Sequence, residues 1–217
     1  FSCIIEEGLP LAVLQRVAAS AAQEACACHV SVVTGDTKVV PRGHGDGLYL
    51  NTSGVGFCIR NDLCAARIQA GDVVLVSGDV GRHAMAVMLA RHDLGLDGTL
   101  SSDCAPLTEA AQALMAFEGL RIMRDPTRGG LAGVLCEFVQ GLPLGMELFA
   151  RDIPVHESVS AACDMLGIDP LYCACEGRLV AVISPQEAEC ALERLRALPN
   201  GEHAAIIGTI TAQYPGR

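Results

Sequence analysis

Three short polar clusters interrupt an otherwise apolar chain, and each holds residue types that can do chemistry. The first, Thr34-Gly35-Asp36-Thr37-Lys38, follows the apolar run 30–33. Asp36 is a hard oxygen ligand suited to Mg²⁺, Lys38 a point charge for phosphate, and Gly35 lets backbone approach a nucleotide. The same residues fit a turn with a solvated ion pair. The second, Arg124-Asp125-Pro126-Thr127-Arg128-Gly129-Gly130, precedes an amphipathic run marked by Leu131, Val134, Leu135, Phe138 and Val139. Asp125 or Thr127 would cap the helix this run predicts, and Pro126 would set its entry turn. Such a helix start is also an anion site, and capping leaves the two arginines and the Gly-Gly pair unexplained. The third, Cys175-Glu176-Gly177-Arg178, stands just before the apolar run 179–183. A carboxylate there can serve as general base or metal ligand, or can simply be solvated in a turn. The turn from Gly78 to His83 is a weaker candidate, because His83 reads equally as a polar surface residue.

These clusters need strands and helices to hold them, and the hydrophobic periodicity supplies both. Strands are predicted at 1–5, Val30–Val33 and, once or twice, within Leu48–Cys58, where Gly54 and Gly56 suggest a bend. A helix opens at Pro10, with Leu11, Leu14, Val17, Ala18 and Ala21 at helical spacing. Residues 59–71 are polar, placing a domain boundary near residue 65. Beyond it, strands are predicted at Val73–Val76, 120–124, Leu144–Phe149, Leu179–Ile183 and 204–210. Helices are predicted at 82–92, 106–117, 131–139, 155–166 and 185–197. The fold class is mixed α/β. The first 60 residues alone would leave a sheet face bare, which suggests an internal fragment of a longer protein.

Composition narrows the partners. Across 217 residues the formal net charge is −10, which disfavours nucleic acid and anionic membranes. No stretch is long and apolar enough to predict a membrane span, and residues 1–7 lack the basic-then-apolar order of a signal peptide. The eleven cysteines include no C-x-x-C pair, so zinc and thioredoxin-like spacings are missing. Most of them fall in apolar periodic segments, where a free cysteine packs as a small hydrophobe in a reducing cytoplasm.

Taken in order, G-D-T-K-V-V from Gly35, S-G-x-x-G-x-H from Ser77, R-D-P-T-R-G-G from Arg124 and E-G-R-L-V from Glu176 resemble the HypE branch of the PurM-like, ATP-binding superfamily. Ile4-Ile5-Glu6-Glu7-Gly8-Leu9-Pro10, Leu94-Gly95-Leu96-Asp97-Gly98 and Ser102-Asp103-Cys104 match the same branch, so the resemblance runs from residue 1 to about 212. It implies a PurM-like two-domain architecture. Residues 1–65 would be the later part of an ATP-binding, dimerising N-terminal domain, and residues 66–217 the C-terminal α/β domain. It further implies [NiFe]-hydrogenase maturation: a carbamoyl group received on a C-terminal cysteine from a HypF-type carbamoyltransferase is dehydrated with ATP and Mg²⁺ to a thiocyanate. The cyano group then passes to iron on a HypC–HypD complex.

Carried over by motif, Gly35, Asp36, Thr37 and Lys38 would bind nucleotide, with Asp36 on Mg²⁺ and Lys38 assisting catalysis. Asp125, Thr127, Arg128 and Gly129 would line the nucleotide or dehydration site, and Glu176 would accept a proton. The resemblance also implies a homodimer. The departures are specific: Arg82 and Ala84 flank His83 where acidic and glycine neighbours are usual, Cys175 stands for Asn, and Arg178 for Lys. The chain ends Tyr214-Pro215-Gly216-Arg217, without the substrate-carrying cysteine, so residues 1–217 alone are expected not to complete the reaction. Selenophosphate synthetase-like and other PurM-like synthetases or kinases, and a non-catalytic docking module, are the alternatives.

Overall fold

The computed structural model describes residues 1–91 and 100–216. The chain divides into two compact units, Phe1–Ile59 and a second from Arg60 onward. The divide precedes the boundary expected near residue 65 because Arg60 already belongs to the second unit. Its guanidinium donates to Asp62 (2.6 Å) and to the carbonyls of Met115 (3.2 Å) and Phe117 (2.7 Å). Leu94–Gly98, which carried part of the resemblance, lies outside the described residues, as does the end of the helix expected over 82–92. No helix among the described residues is long and apolar enough to cross a membrane.

In the first unit, β1 (Ser2–Glu6) runs parallel to β2 (Asp36–Val40) and antiparallel to β3 (Leu48–Asn51), in the order β2-β1-β3. Parallel strands need a crossover, and α1 (Leu11–Ala27) supplies it. The Glu6 carboxylate accepts the backbone N–H groups of Gly43 and Gly47, closing the turn before β3. Those two hydrogen bonds hold the carboxyl below its ordinary pKa. The strand expected at Val30–Val33 is absent. Residues 30–35 have no regular structure, and Val33 is 88% exposed. β-Branched residues favour strands only where a partner strand pairs with them. Here the ladder with β1 begins at Ser2↔Asp36, beside an Asp36 N–H bond to the Phe1 carbonyl (3.1 Å). Pairing with β1 likewise stops at Asn51, so the expected strand segment from 52 to Cys58 does not form.

The second unit is built on a five-stranded antiparallel sheet, in the order β5-β7-β4-β8-β6. Its strands are β4 (Val73–Val76), β5 (Leu120–Arg124), β6 (Gly145–Leu148), β7 (Val180–Ile183) and β8 (Ala205–Thr211). The helices are α2 (Arg82–Arg91), α3 (Thr108–Met115), α4 (Gly130–Val139), α5 (Glu157–Leu166) and α6 (Ala188–Arg196). β4 and β7 are buried at every residue, which explains why they read as continuous apolar runs. Their side chains alternate between faces. Val74, Val76, Val180 and Val182 pack with Leu131, Val134 and Phe138 of α4, whereas Leu75, Ala181 and Ile183 pack with Leu114 of α3 and Leu192 and Leu195 of α6. A third cluster joins Met85 of α2 to Val159, Ala162 and Cys163 of α5 and to Cys173. This unit has the elements that periodicity predicted, with described ends at or within three residues of those expected.

The cysteines depart from expectation. Cys163, Cys173 and Cys175 are buried, but Cys26, Cys58, Cys64, Cys104, Cys136 and Cys190 are exposed. Helical phase is the reason for two of them. α4 buries positions 131, 134, 135 and 138, and α6 buries 188, 191, 192 and 195, so Cys136 and Cys190 turn outward. Burial pushes the Cys163 and Cys175 thiols up to about 12, so both are protonated near neutral pH and are poor nucleophiles. Alkylation of the native protein followed by peptide mass mapping should therefore modify Cys64, Cys104, Cys136 and Cys190. Cys163, Cys173 and Cys175 should react only after denaturation. Rapid native labelling of Cys175 would contradict the packing described.

Candidate active-site residues

The second unit brings two of the three polar clusters together. β5 ends at Arg124, and the following residues lead into α4, while the Cys175–Arg178 turn leads into β7. The Cys175 N–H donates to the Pro126 carbonyl (3.0 Å), pinning one loop to the other. Gly130 presses on the same partner: its φ is +61°, and a Cβ there would lie 2.5 Å from the Leu171 carbonyl oxygen and 2.8 Å from that of Cys173. Only glycine fits this contact. Glu176, Asp125, Arg128 and Gly129 are exposed and Thr127 is half-buried, so this rim is open to a ligand.

The capping expected of Asp125 and Thr127 does not occur. α4 starts at Gly130, and the residue before it is Gly129 in the left-handed conformation (φ +83°), with no side-chain cap. Thr127 contributes its carbonyl, which accepts the Gly130 N–H (3.0 Å). With the helix starting this late, both side chains lie upstream of the cap position, so capping no longer accounts for their presence.

The Gly78–His83 turn, weakest of the sequence candidates, supports the third cluster from beneath. The Gly81 N–H points at Cys175 Sγ (3.2 Å), and the Ala84 N–H donates to the Ala174 carbonyl (3.2 Å). Arg178, only 5% exposed, donates from Nε to the Asp79 carbonyl (2.9 Å), from Nη2 to Asp79 Oδ1 (2.5 Å) and from Nη1 to the Gly177 carbonyl (3.1 Å). Arg82 bonds the other Asp79 oxygen (2.7 Å). Burial alone would push the Asp79 carboxyl up, but the Arg82 hydrogen bond and the Arg178 charge outweigh it and hold the carboxyl below its ordinary value. Asp103 completes the set: its Oδ1 accepts the Glu176 N–H (3.2 Å), and its Oδ2 lies 3.9 Å from Arg178 Nε. His83 Nδ1 is 2.9 Å from Ser102 Oγ.

Asp79, Arg178 and Asp103 were not singled out as site residues from sequence. Arg178 sat inside a motif, and Ser102-Asp103-Cys104 inside a family match, but an isolated Asp in a loop has no local signature. A polar residue is exposed by default, so its burial became visible only in the fold.

The first cluster lies in the first unit. Gly35 and Asp36 line a cleft of about 210 Å³ with Phe1, Ser2, Thr34, Asn51 and Ser53. Asp36 Oδ1 accepts the Thr37 N–H (2.9 Å). The expectation of a loop leaving a strand is corrected here: Asp36, Thr37 and Lys38 are themselves in the edge strand β2, with Lys38 opposite Ile4. By strand alternation Asp36 and Lys38 share one face and Thr37 takes the other, and all three are exposed.

The sheet-and-helix architecture of the second unit defines a class. Residues 69–216 match the model of the AIR synthase related protein, C-terminal domain. Over 96% of its length the chain is 45% identical to carbamoyl dehydratase HypE of Azotobacter vinelandii, and it spans 62% of that relative. The structure superposes on HypE from a HypE–HypF complex with a TM-score of 0.93 at 41% identity, covering 98% of this chain and 70% of that one. It superposes equally well on a HypE crystallised with ATP, with a TM-score of 0.92 at 39% identity, covering 99% and 67%. The chain belongs to the HypE family. It spans less than two thirds of the length of the curated relatives it matches.

Proposed function

We propose that the protein to which this chain belongs is an ATP-dependent carbamoyl dehydratase of [NiFe]-hydrogenase maturation, which turns an S-carbamoyl group into a thiocyanate for the cyanide ligands of iron. The observation that carries this reading is the joining of the Arg124–Gly130 and Cys175–Arg178 loops, in a chain so similar to HypE. Together they place an exposed carboxylate, Glu176, beside an open helix start with Thr127, Arg128 and Gly129, a setting for anionic groups.

The chemistry requires both functions. The carbamoyl oxygen is phosphorylated by ATP and leaves as phosphate, and two protons leave the nitrogen, so that S–C(=O)–NH₂ becomes S–C≡N. Glu176 accepts one of these protons, and the departing phosphate carries away the other. Asp125, Thr127, Arg128 and Gly129 hold the nucleotide or the phosphorylated carbamoyl group. In the first unit, Gly35 and Asp36 contact nucleotide and Lys38, on the same face as Asp36, neutralises developing negative charge on phosphate or carbamoyl oxygen, whereas Thr37, on the other face of β2, would contribute through its backbone.

A magnesium ion fits Asp36 on one condition. Among the described residues no three His, Cys, Asp or Glu side chains form a group that could hold a metal. An ion at Asp36 would therefore take its remaining ligands from phosphate oxygens and water, the usual arrangement for Mg²⁺. Bound there, it would neutralise phosphate charge during transfer. The cleft of about 210 Å³ suits a phosphate and its ion, being smaller than the roughly 300–1,000 Å³ typical of whole-ligand pockets.

The relative crystallised with a HypF supports a HypF-type carbamoyltransferase as donor, and a HypC–HypD complex is the proposed acceptor. Exposed Val32, Val39, Tyr49 and Leu50 support a homodimer that covers the first unit; the proposed location is the cytoplasm. Calorimetric titration of the complete protein with Mg-ATP tests the nucleotide assignment. Asp36→Ala and Lys38→Ala should each weaken binding by at least about tenfold, the loss of one charged contact worth roughly 1.4 kcal/mol. Affinity unchanged in both variants would sink it.

A further inference from the structure

We infer that Asp103 is a positioning residue for Glu176, acting through the backbone of the Cys175–Arg178 turn; this rests on the reading of Glu176 as the proton acceptor. Asp103 touches the turn in two ways. Its Oδ1 accepts the Glu176 N–H at 3.2 Å. Its main chain fills the place where a side chain at Gly177 would stand, because a Cβ there would collide with the Asp103 carbonyl oxygen and lie 2.8 Å from the Ala105 nitrogen. Gly177 therefore sits directly against the 103–105 backbone, with no side chain to hold the two segments apart, and Glu176 beside it is tied to the Asp103 side chain.

The Asp103 side chain is fully buried, and its Oδ2 has no hydrogen bond among the described residues. A buried carboxylate with an unsatisfied oxygen is costly, and such a group in a native fold calls for a reason. Arg178 Nε, 3.9 Å away, offsets the charge but gives no hydrogen bond to Oδ2. The residue's remaining connection is to Glu176, and its own segment is stiffened on the far side. Ser102 Oγ accepts the Cys104 N–H (3.0 Å) and meets His83 Nδ1 (2.9 Å) at the start of α2. The chain of contacts α2–Ser102–Asp103–Glu176 gives the exposed carboxylate a rigid base.

The test is a double-variant cycle on ATP-dependent thiocyanate formation by the complete protein. Asp103→Ala should lower kcat by about 10- to 100-fold, the scale of a displaced reacting group, with KM for Mg-ATP within about twofold. Asp103→Asn keeps an oxygen able to accept the Glu176 N–H and should recover kcat to within about threefold of the parent. In a Glu176→Gln background, Asp103→Ala should have almost no further effect, because two residues acting through one group are not additive. Should Asp103→Ala fail to fold, Asp103→Ser carries the same expectation, its hydroxyl being too short to reach the turn. Losses that multiply in the double variant, or an Asp103→Ala enzyme with the parent kcat, overturn the inference. A Glu176→Gln enzyme that is itself fully active overturns instead the reading of Glu176 on which it rests.

Discussion

Glu176→Gln in the complete protein is expected to reduce the rate of thiocyanate formation by about 10²–10⁴-fold, the usual contribution of a positioned general base. Glutamine has nearly the same shape, and the contact that holds this residue in place uses its backbone N–H on Asp103. The turn, the neighbouring Gly177 contact and the Arg178 ion pairs should survive the change. Only the ability to take a proton is lost. Mg-ATP affinity, which depends on other groups, should stay within about twofold. Single-turnover assays with a pre-carbamoylated protein separate this step from carbamoyl supply. A variant as fast as the parent would show that Glu176 is a solvated carboxylate in a turn, the plainer reading its sequence setting always allowed.

Removing the carboxylate beneath that turn should instead cost stability. Asp79→Ala leaves the Arg178 guanidinium, 5% exposed, without its anionic partner and with a buried charge uncompensated on that side. Breaking such a pair typically costs about 3–5 kcal/mol, so urea unfolding should shift strongly toward lower denaturant. Asp103, 3.9 Å from Arg178 Nε, moderates the loss without replacing the hydrogen bond. The same pair makes stability depend on acid. Asp79 titrates below its ordinary 3.8 in the fold. Its stabilising contribution is therefore fully present above 3.8 and fades as pH falls through the lower folded value. Asp79→Asn should flatten that acid limb. A parent and an Asp79→Asn protein with the same pH dependence of stability below pH 4 would contradict the assignment.

How legible these features were in the chain differs between the two units. In the second unit, runs such as Val73–Val76 and Val180–Ile183 are long, apolar and bounded by turn residues, and they form the central strands where expected. The amphipathic run from Leu131 to Val139 likewise becomes α4. In the first unit the local signal misled. Val30–Val33 has the stronger strand composition, yet Asp36–Val40 is the strand, because β1 offers its ladder to the later segment. Cysteine burial departs from expectation for a related reason. Residue type suggests an interior position, but helical phase decides which side of α4 or α6 faces the sheet.

The amino-acid sequence by itself determined the α/β class, the core strands and helices of the second unit, the HypE kinship and the three polar clusters. The elements and clusters depend on residues near one another in the chain, and the kinship on the order of motifs along it, neither of which requires knowing what meets in space. Tertiary structure alone decided which clusters meet, with Pro126 and Cys175 joined across 49 residues of sequence by one backbone hydrogen bond at 3.0 Å. It alone put Asp79, Arg178 and Asp103 in the interior, next to the turn that carries Glu176. The reason is physical: a hydrogen bond or ion pair acts over about 3–4 Å in space, and a chain that folds into a sheet brings such partners together from segments with no local trace of each other.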